Sequence, residues 1–161
     1  MDALRRTQLV MDVLRHAVNY DFVQATQVMN EIAAVSNVRQ MFGVCCCFAD
    51  AARQMLVRLY GHPSPECLWA LAGPDPADGP RRPAQVFAQQ FIAVYANGDL
   101  PTCRALYLAA AQGSAHDYAR SLAALIRDVA HLVRVATQEM AADAESQPGT
   151  RADPATWPCP Q

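Results

Sequence analysis

Apolar residues recur along the chain at intervals of three and four, the period of helices that bury one face. Leu9, Val10, Val13, Leu14, Ala17 and Val18 form the stripe of a first helix over residues 3–18. Asn19 and Asp21 supply a stop and a fresh N-cap, and Phe22, Ala25, Val28, Met29, Ile32 and Ala33 carry a second helix. Ser36 or Asn37 caps a third, which runs to Tyr60 with Val38, Met41, Phe42, Cys45, Ala49, Ala52, Leu56 and Leu59 expected inward. Gly61 and Pro63 end it.

Residues 61–83 are rich in proline and glycine and read as a connection, with a short helical turn expected over 66–72 on Leu68, Trp69 and Leu71. Helical period returns at Phe87, Phe91, Val94 and Tyr95 and closes at Gly98. Asp99 caps a fifth helix with Pro101 in its first turn, where a missing N–H costs nothing, and Gly113 ends it. Ser114 and Asp117 have capping-box spacing. Tyr118, Leu122, Leu125, Ile126, Val129, Leu132, Val133, Ala136 and Met140 then carry a sixth helix to about residue 145. Residues 146–161 lack periodicity and are expected to form a disordered tail.

The pattern predicts an all-α protein: one domain over residues 1–145, built as two three-helix halves, 3–60 and 84–145. A constant shift of 78 lays one half on the other without a gap. It brings Asn19 onto Asn97, Asp21 onto Asp99, Ala33 onto Ala111, Ser36 onto Ser114, Asp50 onto Asp128 and Ala52 onto Ala130. Matching caps, breaks and helix lengths are what an internal duplication predicts.

Composition agrees with this reading. Of 161 residues 30 are alanine, the best helix former, and only 17% are charged. The length suffices for a hydrophobic core without disulfides or metal. All 13 basic residues are arginine, which reads as the trace of a GC-rich coding sequence. The net charge of −2 is spread as a near-neutral body and an acidic end, which argues against a general nucleic-acid or anionic-membrane binder. The first twenty residues hold no signal-peptide core, and no run reaches the roughly 18 apolar residues of a membrane span. A cytoplasmic location with reduced cysteines is therefore expected.

Candidate chemistry is sparse. Cys45, Cys46 and Cys47 are consecutive, so on a helix they point about 100° apart and cannot close on one metal ion. They read as core residues, and a metal site would need Cys67 or Cys103 from elsewhere. His16, His62, His116 and His131 are scattered. Arg120, Arg127 and Arg134 recur every seven residues, with His131 and Gln138 on the same side of the sixth helix. This reads as a solvated helix face, with Asp117 and Asp128 offsetting much of its charge, or as a surface for an acidic partner or a nucleic-acid backbone. Asp50 and Asp128 correspond under the shift and read as surface partners of Arg53 and His131. No phosphate loop, nucleophile elbow or catalytic triad is visible.

The leading expectation is a noncatalytic helical interaction module, an adaptor or regulatory partner that binds another protein or itself, without a cofactor. Arg120, Arg127, His131, Arg134 and Trp69 are its candidate partner-binding residues, and the seam between the halves its natural groove. One alternative is a DNA-reading regulator using a degenerate helix-turn-helix over residues 31–42, which lacks the usual turn glycine. Another is a small-molecule or metal pocket lined by Met41, Cys45, Cys46 and Tyr118.

Overall fold

A computed structural model describes residues 3–63, 68–69 and 82–146. They form six α-helices: α1 (Ala3–Val18), α2 (Phe22–Ala34), α3 (Val38–Tyr60), α4 (Pro83–Ala96), α5 (Leu100–Ala111) and α6 (Ala115–Ser146). Among the described residues there is no strand. Ser146, the first residue of the expected tail, ends α6, while the rest of that tail, 147–161, and most of the expected turn over 66–72 lie outside the described residues. Leu68 and Trp69, which are described, belong to no helix.

Local chemistry sets the helix starts. Asp21 accepts from the N–H of Gln24 (3.2 Å) and Asp99 from that of Thr102 (3.1 Å). Of the two expected caps for α3, Asn37 is the one used, in a reciprocal box with Gln40 at 2.9 Å in each direction. The Ser36 hydroxyl is buried without a partner. Ser114 Oγ accepts from the Asp117 N–H (3.1 Å) and donates to the Asp117 carboxylate (2.7 Å), so α6 has half of a capping box.

The two interhelical corners have the same construction at a separation of 78 residues. Asp21 N donates to His16 O, and Asp99 N to Val94 O, across a residue with positive φ: Tyr20 at 61° and Gly98 at 80°. Glycine reaches that conformation freely, whereas tyrosine pays about 1–2 kcal/mol. Arg134 offsets the strain at Tyr20. Its guanidinium lies 4.2 Å from the ring centroid, and its Nη1 donates to Ala17 O (3.0 Å) and Val18 O (3.3 Å). The charge thus sits on the negative end of the α1 dipole.

Helices α3 and α6 form the central pair and run in the same direction. Tyr118 lies beside Cys45 at one end, and Arg58 Nη1 meets Met140 Sδ at 3.7 Å toward the other. Helices α1 and α4 each pack on both members of the pair, α2 packs chiefly on α1, and α5 on α4 and α6. Apart from α5 against α6, the major packed pairs are unchanged when α1, α2 and α3 are exchanged for α4, α5 and α6. Val13, Ile32, Val44, Phe48, Phe91 and Leu125 are all fully buried in one continuous core.

Several residues of the expected stripes lie elsewhere, Ala33 on α2 among them, which is exposed. Val38 is 58% exposed in the first turn of α3, and Phe22 is 43% exposed beside a cleft described below. Met140 is 53% exposed because α6, at ~48 Å, outruns the bundle: no described residue beyond Ala136 is buried. Leu59 is only half-buried.

Replacing Arg134 with alanine is expected to cost about 1–3 kcal/mol through the lost charge-assisted bonds and stacking. Urea unfolding would measure it, with Arg134→Lys recovering part of the loss. An unchanged midpoint would mean that Arg134 is a free surface charge.

Candidate functional site

The cysteine run faces several ways, as consecutive helical residues must. Cys45 is fully buried, and burial together with neighbouring Cys46 pushes its thiol far above the ordinary range. Cys46 and Cys47 are half-buried. Burial raises Cys46 to about 11, against a lowering by the nearby Arg6 guanidinium. Cys103 is buried on α5 and is also raised to about 11. Among the described residues no group of three or more His, Cys, Asp or Glu could hold a metal. Tyr118 and Tyr107 share a hydroxyl contact at 3.2 Å beside Cys45, and burial raises both phenols. The expected small-molecule wall of Cys45 and Tyr118 is therefore packed against the chain's own tyrosines.

Residues 31–42 span the end of α2, a turn and the start of α3. From Met41 through Arg53 no residue of α3 is exposed, because α1, α4 and α6 all pack on it. A recognition helix needs a solvent-facing row of polar side chains, and over residues 31–42 the exposed polar ones are Glu31, Asn37 and Arg39. The Asp50 carboxylate accepts from Arg53 at 3.0 Å and from Gln54 at 2.8 Å, the expected surface pairing.

Two clefts open along α6, and Arg127 lines both. The first, about 600 Å³, is lined by α2, α6 and the start of α4 and so lies between the halves. Phe22, Ala25, Met29 and Ala33 come from α2, and Ala119, Leu122, Ala123 and Ile126 from α6. Arginines 82, 120 and 127 also line it, and none of its lining residues is acidic. The second cleft, about 480 Å³, gathers four of the five candidate residues read from the sequence: Trp69, Arg127, His131 and Arg134. Only Arg120 is separate, in the first cleft.

The second cleft is the more internally committed. Arg134 is engaged by the end of α1, and Asp128 lies 3.7 Å from Arg127 Nε. Burial raises the Asp128 carboxyl despite Arg127 and His131. The main chain of Trp69 is held by the side-chain amide of Asn97: Trp69 N donates to Oδ1 at 2.8 Å, and Nδ2 donates to Trp69 O at 3.0 Å. Its ring packs on Tyr60, with centroids 6.3 Å apart. Asn97 was legible only as a turn residue, and nothing in the sequence pairs it with Trp69.

The first cleft has a counterpart that is closed. Positions 78 residues away from its α6 and α4 walls fall on α3 and α1, where Arg120 corresponds to Phe42 and Ala84 to Arg6. Phe42 packs into the space between α4 and α5, with centroids 6.4 Å from Phe91 and 5.5 Å from Tyr107. The Arg6 guanidinium lies against Gly43, 3.4 Å from where a Cβ would stand. On the open side the corresponding residues are an exposed arginine and an alanine, and neither fills the cleft. The periodicity missed this because it assigned the cleft residues Phe22, Ala25, Met29 and Ala33 of α2 to one inward stripe. The signal was the small pair Ala119 and Ala123, one turn apart on a face that the core does not claim.

No family pattern, curated protein or solved structure matches the chain.

Two measurements check this geometry. Asp128→Asn is expected to stabilise the protein at neutral pH. A carboxyl whose folded pKa is raised binds its proton more tightly in the native state, so stability falls as pH climbs past the unfolded value. The gain should vanish in acid below the unfolded carboxylate pKa of ~3.9, and a gain that persists there would have another cause. In alkylation at pH 8, Cys45 and Cys103 should react only on unfolding, whereas half-buried Cys47 should react in the native protein. Equal native rates would contradict the burial.

Proposed function

We propose that this protein is a noncatalytic helical interaction module, acting in the cytoplasm, whose docking surface is the cleft between α2 and α6. The observation that carries this reading is the contrast between the two corresponding grooves. One is filled by Phe42 and Arg6, while the other is left open with apolar walls exposed to solvent. A fold that can close such a groove with its own side chains, and does so once, leaves the second available to another molecule. Its volume suits a bound segment and its lining is mostly apolar, as binding clefts are. The same reading takes the two halves as copies of one ancestral three-helix unit, one of which kept its groove. No helix among the described residues is long and apolar enough to cross a membrane.

Ala33 and Ala123 are exposed in the cleft, so tryptophan at either position fills it from outside the core. Ala123→Trp should leave stability within about 0.5 kcal/mol of wild type. Peptides selected for binding from a displayed library should adopt helices and lose affinity for Ala123→Trp. Selected binders indifferent to both substitutions would place the docking surface elsewhere.

A further inference from the structure

The shape and lining of the open cleft restrict what can occupy it. Along α2 the lining runs from Phe22 to Ala33 and along α6 from Tyr118 to Arg127, roughly 14–16 Å at 1.5 Å per residue. That length matches about ten residues of helix, which is three turns and three or four inward side chains. An extended segment fits less well, because its buried N–H and C=O groups would need partners. Beside Asn30 and the arginines the cleft has few to give: the Thr26 hydroxyl donates to Phe22 O at 2.7 Å, and the Gln85 side-chain oxygen accepts from the Arg82 N–H at 3.3 Å. A helix brings its backbone already paired. Alanines 33, 119 and 123 on the walls let such a helix approach closely.

The charge is one-sided. Arg82 and Arg120 are exposed and have no carboxylate partner among the described residues, and Arg127 meets only Asp128, at 3.7 Å. With no acidic residue in the lining, a bound segment would face three guanidinium groups around an apolar floor. Such a rim favours carboxylates and penalises cations. Resting on the docking reading above, we infer that the occupant is an acidic amphipathic helix of a partner protein. Apolar residues at i, i+3 or i+4 and i+7 enter the cleft, and Asp or Glu beside that stripe meet arginines 82, 120 and 127.

Three synthetic helical peptides of about 14 residues test this, sharing one Leu stripe and flanked by Glu, Gln or Lys. Titration by fluorescence anisotropy and amide chemical shifts reads the result on the full chain. The Glu peptide should bind with shifts centred on Met29, Ala33, Ala119 and Ala123. The Gln peptide should bind about tenfold more weakly, since exposed ion pairs each add little, and the Lys peptide more weakly still. The gap should narrow in 1 M salt, where the Debye length is about 3 Å. The double variant Arg82→Glu with Arg120→Glu, both at exposed positions, should prefer the Lys peptide.

Equal affinity for the Glu and Gln peptides would overturn the acidic partner and leave the docking reading standing. If no peptide binds in a manner sensitive to Ala123→Trp, both fall. Self-association of the free protein that Ala123→Trp abolishes would give the cleft to a second copy. Displacement of the Glu peptide by dodecanoate at lower concentration would give it to an anionic amphiphile. Either result overturns the inference.

Discussion

Two long helices lying side by side in the same direction require small or branched side chains along their shared course, and this requirement shapes the rest of the bundle. Ala49 and Ala52 on α3, with Val129 and Ala130 on α6, are fully buried. They leave room for α1 and α4 to settle across both central helices at once. Parallel neighbours cannot be joined by a tight turn, and each central helix is reached through two shorter ones. Helices α2 and α5 are consequences of that path more than contributors to the core. Among the described residues, α2 keeps an outer face which no other helix covers.

The helices and their ends were legible because they depend on neighbours in sequence. Asp21, Asn37, Asp99 and Gly98 each act within a few residues of themselves, and a local rule suffices to find them. Residues whose role depends on a partner far along the chain were not. Arg134 has the spacing of a surface charge, yet its hydrogen bonds go to carbonyls more than a hundred positions earlier. Asn97 has the spacing of a turn and clasps a tryptophan main chain. Phe42 and Arg120 share a register, but whether a groove is filled or open depends on which helix lies opposite, and periodicity within one helix carries no such information.

The exchange of phenylalanine for arginine at corresponding positions also alters the character of the two grooves. On one side a ring joins Phe91 and Tyr107 and makes α5 part of the rigid body. On the other, α2 rests chiefly on α1, with Val23 69% exposed beside Phe22. The open side therefore presents an available apolar surface along α2.

The clasp between Asn97 and Trp69 has a consequence for how this chain could change over time. A side-chain amide that both donates to and accepts from one residue's main chain imitates a peptide unit, so it holds Trp69 whatever its side chain. The clasp thereby stitches Trp69 to the end of α4, while its ring rests on the end of α3. Loop-closure cost grows only by about 0.6 kcal/mol for each doubling of length. Insertions to either side of the stitch would thus leave the bundle's register intact, making this connection the place where a descendant could acquire a new segment without refolding the old one.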